Sequence, residues 1–165
     1  MLQQTQVQTV VPYFERWLSR FPNVKTLASA TIDDILKAWE GLGYYRRAHN
    51  LHQCARIVVN EYQGDFPKSS KDLQKLPGIG RYTAAAIASL CHGEDVLAVD
   101  GNIRRVGARL FVINGPVKDG DIRKALEQHL PAGKAGLFNE TLMELGATLC
   151  TQRHPRCGEC PISDL

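Results

Sequence analysis

Three short stretches hold residue types that could do chemistry. In "LPGIGRYTA" (residues 76–84), Gly78 and Gly80 flank a single isoleucine directly before an Ala-rich, helical run. Glycines admit backbone conformations that a Cβ forbids. A helix entered this way opens with unpaired N–H groups, and these, with the helix dipole, favour an anion. Arg81, just past the turn, adds positive charge. The stretch could grip a phosphate, or it could be a Gly-rich turn between helices without a ligand. In "AVDGNIRRV" (residues 98–106), Asp100 stands between an extended stretch and a helix start, where a carboxylate is a natural N-cap. Near the C-terminus, Cys150, Cys157 and Cys160 read Cys-x6-Cys-x2-Cys. Such crowding points to a metal before a disulfide, and the spacing alone does not choose zinc or iron–sulfur. Cys54 and Cys91 stand alone in helical context and read as ordinary buried thiols.

The elements that must position these residues read as helices throughout. Val7, Val10, Val11, Phe14, Trp17, Leu18 and Phe21 recur at helical spacing and predict an amphipathic helix over 5–20. "FPNV" breaks it, and "SATIDD" offers caps for a helix carrying Ile32, Ile35, Leu36 and Trp39. "GLGYYRRAHNL" restarts a helix after its two glycines, running to about Tyr62, and Ser69 or Ser70 can cap a short one ending near Leu76. Further helices are expected over about 80–91, from 101, over 119–130 and over 135–149, with "GEDVLAVD" extended between them. No period-2 strand of useful length appears, so the fold class expected is all-α.

The chain has 165 residues, 44% hydrophobic and 22% charged, which suits a globular protein with one core or two small lobes. Its net charge of +3 is only mildly basic, so the placement of charge must carry any case for an anionic partner. No apolar run approaches the roughly 18 residues of a membrane span. "MLQQTQV" has neither the basic nor the apolar region of a signal peptide. An intracellular, cytoplasmic location is expected.

Taken together, "LPGIGRYTA", "AVDGNIRRV", "GLGYY" (41–45), "MLQQTQV" (1–7) and the C-terminal cysteines resemble the helix-hairpin-helix base-excision DNA glycosylases of the endonuclease III superfamily. The likeness is closest to their bacterial adenine-specific, MutY-type branch. It covers essentially the whole chain, with the motifs in the family's order. The resemblance implies a helical barrel lobe over 1–94, with the helix-hairpin-helix at about 70–91, and a partial iron–sulfur lobe over 95–165. It implies a monomer acting on double-stranded DNA, in the nucleoid of a bacterium, where adenine mispaired with 8-oxoguanine or guanine is flipped out and excised.

Residue by residue, the resemblance makes Asp100 the carboxylate that stabilises the sugar cation, and Asn102 a positioning group for sugar or base. At Tyr82 the strand-cleaving members carry a lysine that attacks the sugar. Tyrosine there implies a monofunctional glycosylase. Gly78, Gly80 and Arg81 become phosphate contacts. Glu140 in "FNETLMEL" matches a glutamate that touches adenine. Leu2, Gln4 and Tyr44 match residues that wedge into the duplex or stack beside the oxidised guanine. In "TQRHPR" (151–156), Arg153 and Arg156 match basic side chains that meet DNA phosphates, and Cys150, Cys157 and Cys160 match ligands of a [4Fe–4S] cluster.

Two departures from the family pattern stand at the ends. The family places Ser-Glu-Val before "MLQQT", its glutamate being the general acid, and this chain starts at the Met. Its fourth cluster cysteine would follow directly after Leu165. The expectation is a chain truncated at both ends, also without the family's 8-oxoguanine-recognising domain. Two alternatives stay open: a glycosylase of thymine-mismatch or oxidised-pyrimidine specificity, and a non-catalytic DNA-binding fragment.

Overall fold

Short side-chain caps at chain reversals set the architecture. In the computed structural model, which describes residues 1–164, the elements run α1 (Val7–Arg20), α2 (Val24–Ser29), α3 (Ile32–Trp39), α4 (Arg46–Glu61), α5 (Ser70–Leu73), α6 (Arg81–His92), α7 (Gly101–Leu110), α8 (Asp119–Glu127) and α9 (Ala135–Thr148). A single 3₁₀ turn follows at Cys157–Glu159. Among the described residues there is no strand, in keeping with the all-α expectation, and no helix long and apolar enough to cross a membrane. Helix α2 was not expected. It has six residues, too few to show a hydrophobic period, and it forms because the Asn23 side chain accepts from the Thr26 N–H at 2.9 Å. Thr31 caps α3 in the same way through Asp34 N–H.

The chain divides into two compact units. The first is Met1–Pro67 with Lys75–Gly78, and the second is Lys68–Gln74 with Ile79–Leu165. Residues 68–74 and 79–94, expected in the first lobe, fall with the second unit, because α6 packs on α5 and α9.

The first unit's core centres on Trp17, whose ring meets Phe21 and Trp39 edge-on at 4.9 and 5.5 Å between centroids. Leu27, Ile35, Leu42, Ala48 and Ala55 complete it. Cys54 is buried as expected, whereas Cys91, in the last turn of α6, is exposed. Helix α1 buries only Val10 and Trp17 along its length, whereas Val7, Val11, Phe14 and Leu18 remain 45–63% exposed. Its apolar residues thus form two faces, and one of them meets the core.

The second unit packs α6 and α7 against α9, and α8 against α7, over Leu97, Val99, Ile103, Val106, Ile122, Leu126, Leu142 and Leu145. Helix α9 comes close to α7 through Gly146, where an added Cβ would lie 2.6 Å from the Asn102 Cβ. The extended segment ahead of α7 is held by a buried amide. Asn139, 0% exposed, accepts from Ala98 N–H at 3.0 Å and donates to Val96 O at 2.9 Å and to Ser89 Oγ at 3.0 Å. Arg123 holds the residue between by donating to Leu97 O at 2.7 Å. At the other end of α7, Val112 is 73% exposed at φ 50°, a left-handed conformation that β-branched residues avoid.

Two stability outcomes follow from these environments. Asn139→Leu strands a buried N–H, a carbonyl and a hydroxyl, and is expected to cost about 2–4 kcal/mol in chemical denaturation. Val112→Gly relieves a left-handed penalty of about 1–2 kcal/mol, and glycine's extra chain entropy offsets part of it. A net gain of about 0.5–1 kcal/mol is expected by the same measurement.

Candidate active site and nucleic-acid interface

Asp100 is the N-cap of α7. Its Oδ1 accepts from Ile103 N–H at 2.7 Å, and its Oδ2 accepts from Asn102 Nδ2 at 3.2 Å. The capping geometry anticipated from sequence is therefore present, and the half-buried carboxylate is fixed at a helix N-terminus. Asn102 is oriented in turn by Arg105, whose Nη2 donates to Asn102 Oδ1 at 2.8 Å and to Gly146 O at 2.6 Å. The Arg105 Nε donates to Cys150 O at 2.8 Å. A continuous run of hydrogen bonds thus joins Asp100, Asn102 and Arg105 to the backbone of the first clustered cysteine.

Tyr82 lies in the first turn of α6, with its hydroxyl 3.9 Å from Met143 Sδ. Burial pushes the Tyr82 phenol above its ordinary value, and the negative charge of Asp100 adds to the effect. Glu140 is exposed on α9, three residues before Met143 and so on an adjoining face of the helix. Asp100, Asn102, Tyr82 and Glu140 all belong to the second unit.

The two glycines of the turn differ. Gly78 has φ 78°, and a Cβ there would meet the Asn50 Cβ at 2.9 Å. Gly80 has φ −80° and ψ 175°, and a Cβ there would meet nothing within 4 Å. The expectation of special backbone geometry thus applies to Gly78 alone. Gly80 is the N-cap of α6 without a side chain to cap it, and open space adjoins the helix start. Arg81 is exposed there. Burial, and then the like charge of Arg81, push the Arg123 guanidinium down from its usual value.

In the first unit, Gln4 and Tyr44 both adopt left-handed backbone, at φ 60° and 48°. They line an open cleft of about 570 Å³ together with Gln3, Tyr45, Arg46, Arg47 and Asn50. Tyr44 and Tyr45 are 68% and 45% exposed, so neither is spent on packing, and Leu2 is 59% exposed. The hairpin reaches this cleft, since Gln3 Nε2 donates to Gly78 O at 3.4 Å.

Of the two arginines in the cysteine loop, Arg156 is engaged with Glu159 at 3.0 Å and with Thr148 O at 3.1 Å. Arg153 is exposed and makes no hydrogen bond or ion pair among the described residues. Arg109 wraps the loop, donating to Cys150 Sγ at 3.2 Å and to Thr151 O at 2.8 Å. The 3₁₀ turn links the other two thiols, with Cys160 N–H donating to Cys157 O at 3.1 Å. Three thiols, one already accepting a charged hydrogen bond, fit an iron–sulfur cluster in donor type. Among the described residues they are not gathered into a group that could hold a metal.

Sequence reasoning missed Asn139, Arg105, Arg109, Arg123 and Arg47. Asn139 left a signal: it shares a helical face with Ala135, Leu142 and Gly146, so a polar residue occupies a core position. The arginines left none, because their partners are mostly backbone carbonyls far away in sequence.

Comparison with known proteins agrees with this arrangement. Residues 1–132 match the family described as HhH-GPD superfamily base excision DNA repair protein, and residues 150–165 match the iron-sulfur binding domain of endonuclease III. An adenine DNA glycosylase of Buchnera aphidicola subsp. Schizaphis graminum is 43% identical over 98% of this chain and 48% of its own length. The human adenine DNA glycosylase is 42% identical over 100% of this chain and 31% of its own. The chain thus spans about half the length of the first of these relatives, and less of the second. Among solved structures, a thermostable thymine-DNA glycosylase superposes with a TM-score of 0.87 at 30% identity, covering 97% of this chain and 76% of that one. An iron–sulfur cluster is a cofactor of this family, and Cys150, Cys157 and Cys160 are the residues that would hold it here. With its helical fold and its match over four-fifths of its length, the chain belongs to the HhH-GPD superfamily of base excision DNA repair proteins.

Proposed function

We propose that the protein is a monofunctional DNA glycosylase that excises adenine mispaired with 8-oxoguanine or guanine. The observation that carries the reading is the Asp100 carboxylate, fixed by Ile103 N–H and Asn102, with Tyr82 instead of a lysine close enough to feel its charge. Breaking an N-glycosidic bond builds positive charge on the sugar, and a fixed carboxylate in a half-buried setting stabilises that charge most where water is scarce. A phenol whose pKa is raised keeps its proton and serves as a hydrogen-bond donor. It cannot replace the amine that forms a Schiff base in strand-cleaving enzymes.

DNA is the partner in this reading. The uncapped first turn of α6, open at Gly80 and flanked by Arg81, takes a backbone phosphate, and Arg153 takes another. Gln4 and Tyr44, exposed at the cleft mouth with Leu2 nearby in sequence, enter the duplex and offset the cost of unstacking. Glu140 reads the edge of adenine. The choice of adenine rests on the names of the relatives at 42–43% identity. The thymine-DNA glycosylase similarity supports thymine as the second reading. When bound, the cluster supplies folding energy to the cysteine loop. Arg105 and Arg109 tie that loop to α7 through its carbonyls.

A single-turnover panel of duplexes tests the assignment. Adenine opposite 8-oxoguanine and opposite guanine should yield abasic sites, detected as strand breaks only after alkali. Adenine opposite thymine should not react. Thymine or oxidised-pyrimidine excision, or breaks without alkali, would contradict the reading. Binding without any excision would leave a DNA-binding module.

A further inference from the structure

One half-buried cation has no role in the chemistry above. The Arg47 guanidinium donates through Nη1 to Met1 O at 2.6 Å, to Gln3 O and to Thr5 Oγ1 at 3.0 Å. Through Nη2 it donates to Leu42 O at 3.1 Å and Gly43 O at 3.3 Å. Its Cζ lies 5.3 Å from the Trp39 ring centroid and 5.6 Å from that of Tyr44. Its Nε is buried without a partner, and no carboxylate pairs with it among the described residues. Fixed carbonyl dipoles from two separate segments therefore solvate this charge.

Those segments are the ones that carry the exposed left-handed residues of the cleft. Gln3 and Thr5, both bonded to Nη1, bracket Gln4 at φ 60°. Gly43, whose carbonyl also accepts from the Trp39 indole N–H at 3.0 Å, directly precedes Tyr44 at φ 48°. Left-handed backbone at residues bearing side chains persists only where the surroundings over-determine it. Arg47 supplies that determination at both places at once, anchored on a tryptophan that is 1% exposed.

We propose that Arg47 is a positioning residue for duplex recognition: it locks Gln4 and Tyr44 side by side at the cleft mouth, so that both enter the duplex as one preformed wedge. This rests on the glycosylase reading for what the wedge is used on, and on the free chain's geometry for the locking itself. Lysine at this position keeps the charge and loses the planar fork that spans two segments.

Two readouts on Arg47→Lys separate those supports. In the DNA-free protein, amide exchange should quicken at residues 3–5 and 43–45 while amides of α1 and α3 keep their protection. On duplexes with a non-hydrolysable adenosine, the preference for adenine opposite 8-oxoguanine over adenine opposite thymine should fall about tenfold, the scale of one charge-assisted hydrogen bond. In a Gln4→Ala/Tyr44→Ala background the same change should add less than about twofold, because coupled residues are non-additive. Unchanged exchange, or the full loss persisting in that background, would overturn the proposal. Should Arg47→Lys loosen α1 and α3 as well, Thr5→Val, which removes one acceptor, is held to the same criteria. A wild-type protein without mismatch preference, but with the local exchange effect in Arg47→Lys, would uphold the positioning and overturn the glycosylase reading.

Discussion

The contact on which the candidate site depends is the 2.7 Å hydrogen bond from Ile103 N–H to the Asp100 carboxylate. It does two things at once. It satisfies a donor that the first turn of α7 would leave unpaired, and it fixes a negative charge at one place and one orientation. Everything on either side of Asp100 reinforces that placement. Asn139 and Arg123 hold residues 96–98 by their backbone, so the chain enters the cap from a rigid extended segment. Arg105 holds Asn102, and Gly146 lets α9 come near enough for its carbonyl to hold Arg105.

This arrangement places the proposed catalytic carboxylate at a helix end braced by hydrogen bonds. A carboxylate used for electrostatic stabilisation gains from being preorganised, since no energy is then spent turning dipoles as charge develops. The cleft of the first unit follows the same rule with different means. There a single guanidinium does for two segments what buried amides and helix caps do around Asp100. Both sites spend backbone hydrogen bonds from long side chains to hold short functional ones still.

Much of the fold was legible because local rules govern it. Of the nine α-helices among the described residues, eight lie close to where period and capping residues put them, and the missing one, α2, is too short to have a period. The two glycines of "LPGIG" do different things: Gly78 needs its left-handed turn, and Gly80 leaves space at an uncapped helix start. Asp100 and Tyr82 were legible through motif likeness, and their burial and mutual electrostatics needed coordinates. Arg47, Arg105 and Asn139 were not legible, because each acts on backbone groups 41 to 46 residues away, where sequence pattern carries no information. The exposed face of α1 shows the converse, since apolar spacing predicts a helix without saying how much of it will be covered.

The claim that Asp100 both caps α7 and carries the reaction separates cleanly in one variant. Asparagine caps a helix about as well as aspartate, so Asp100→Asn should change unfolding free energy by no more than about 0.5 kcal/mol. It removes the charge, so single-turnover excision of adenine opposite 8-oxoguanine should fall by at least about 10²–10³-fold. Measuring both on the same preparation gives the direct test. Stable protein with abolished excision is the result expected. Excision that survives the substitution, or that declines only in step with stability, would show that Asp100 is a cap and nothing more.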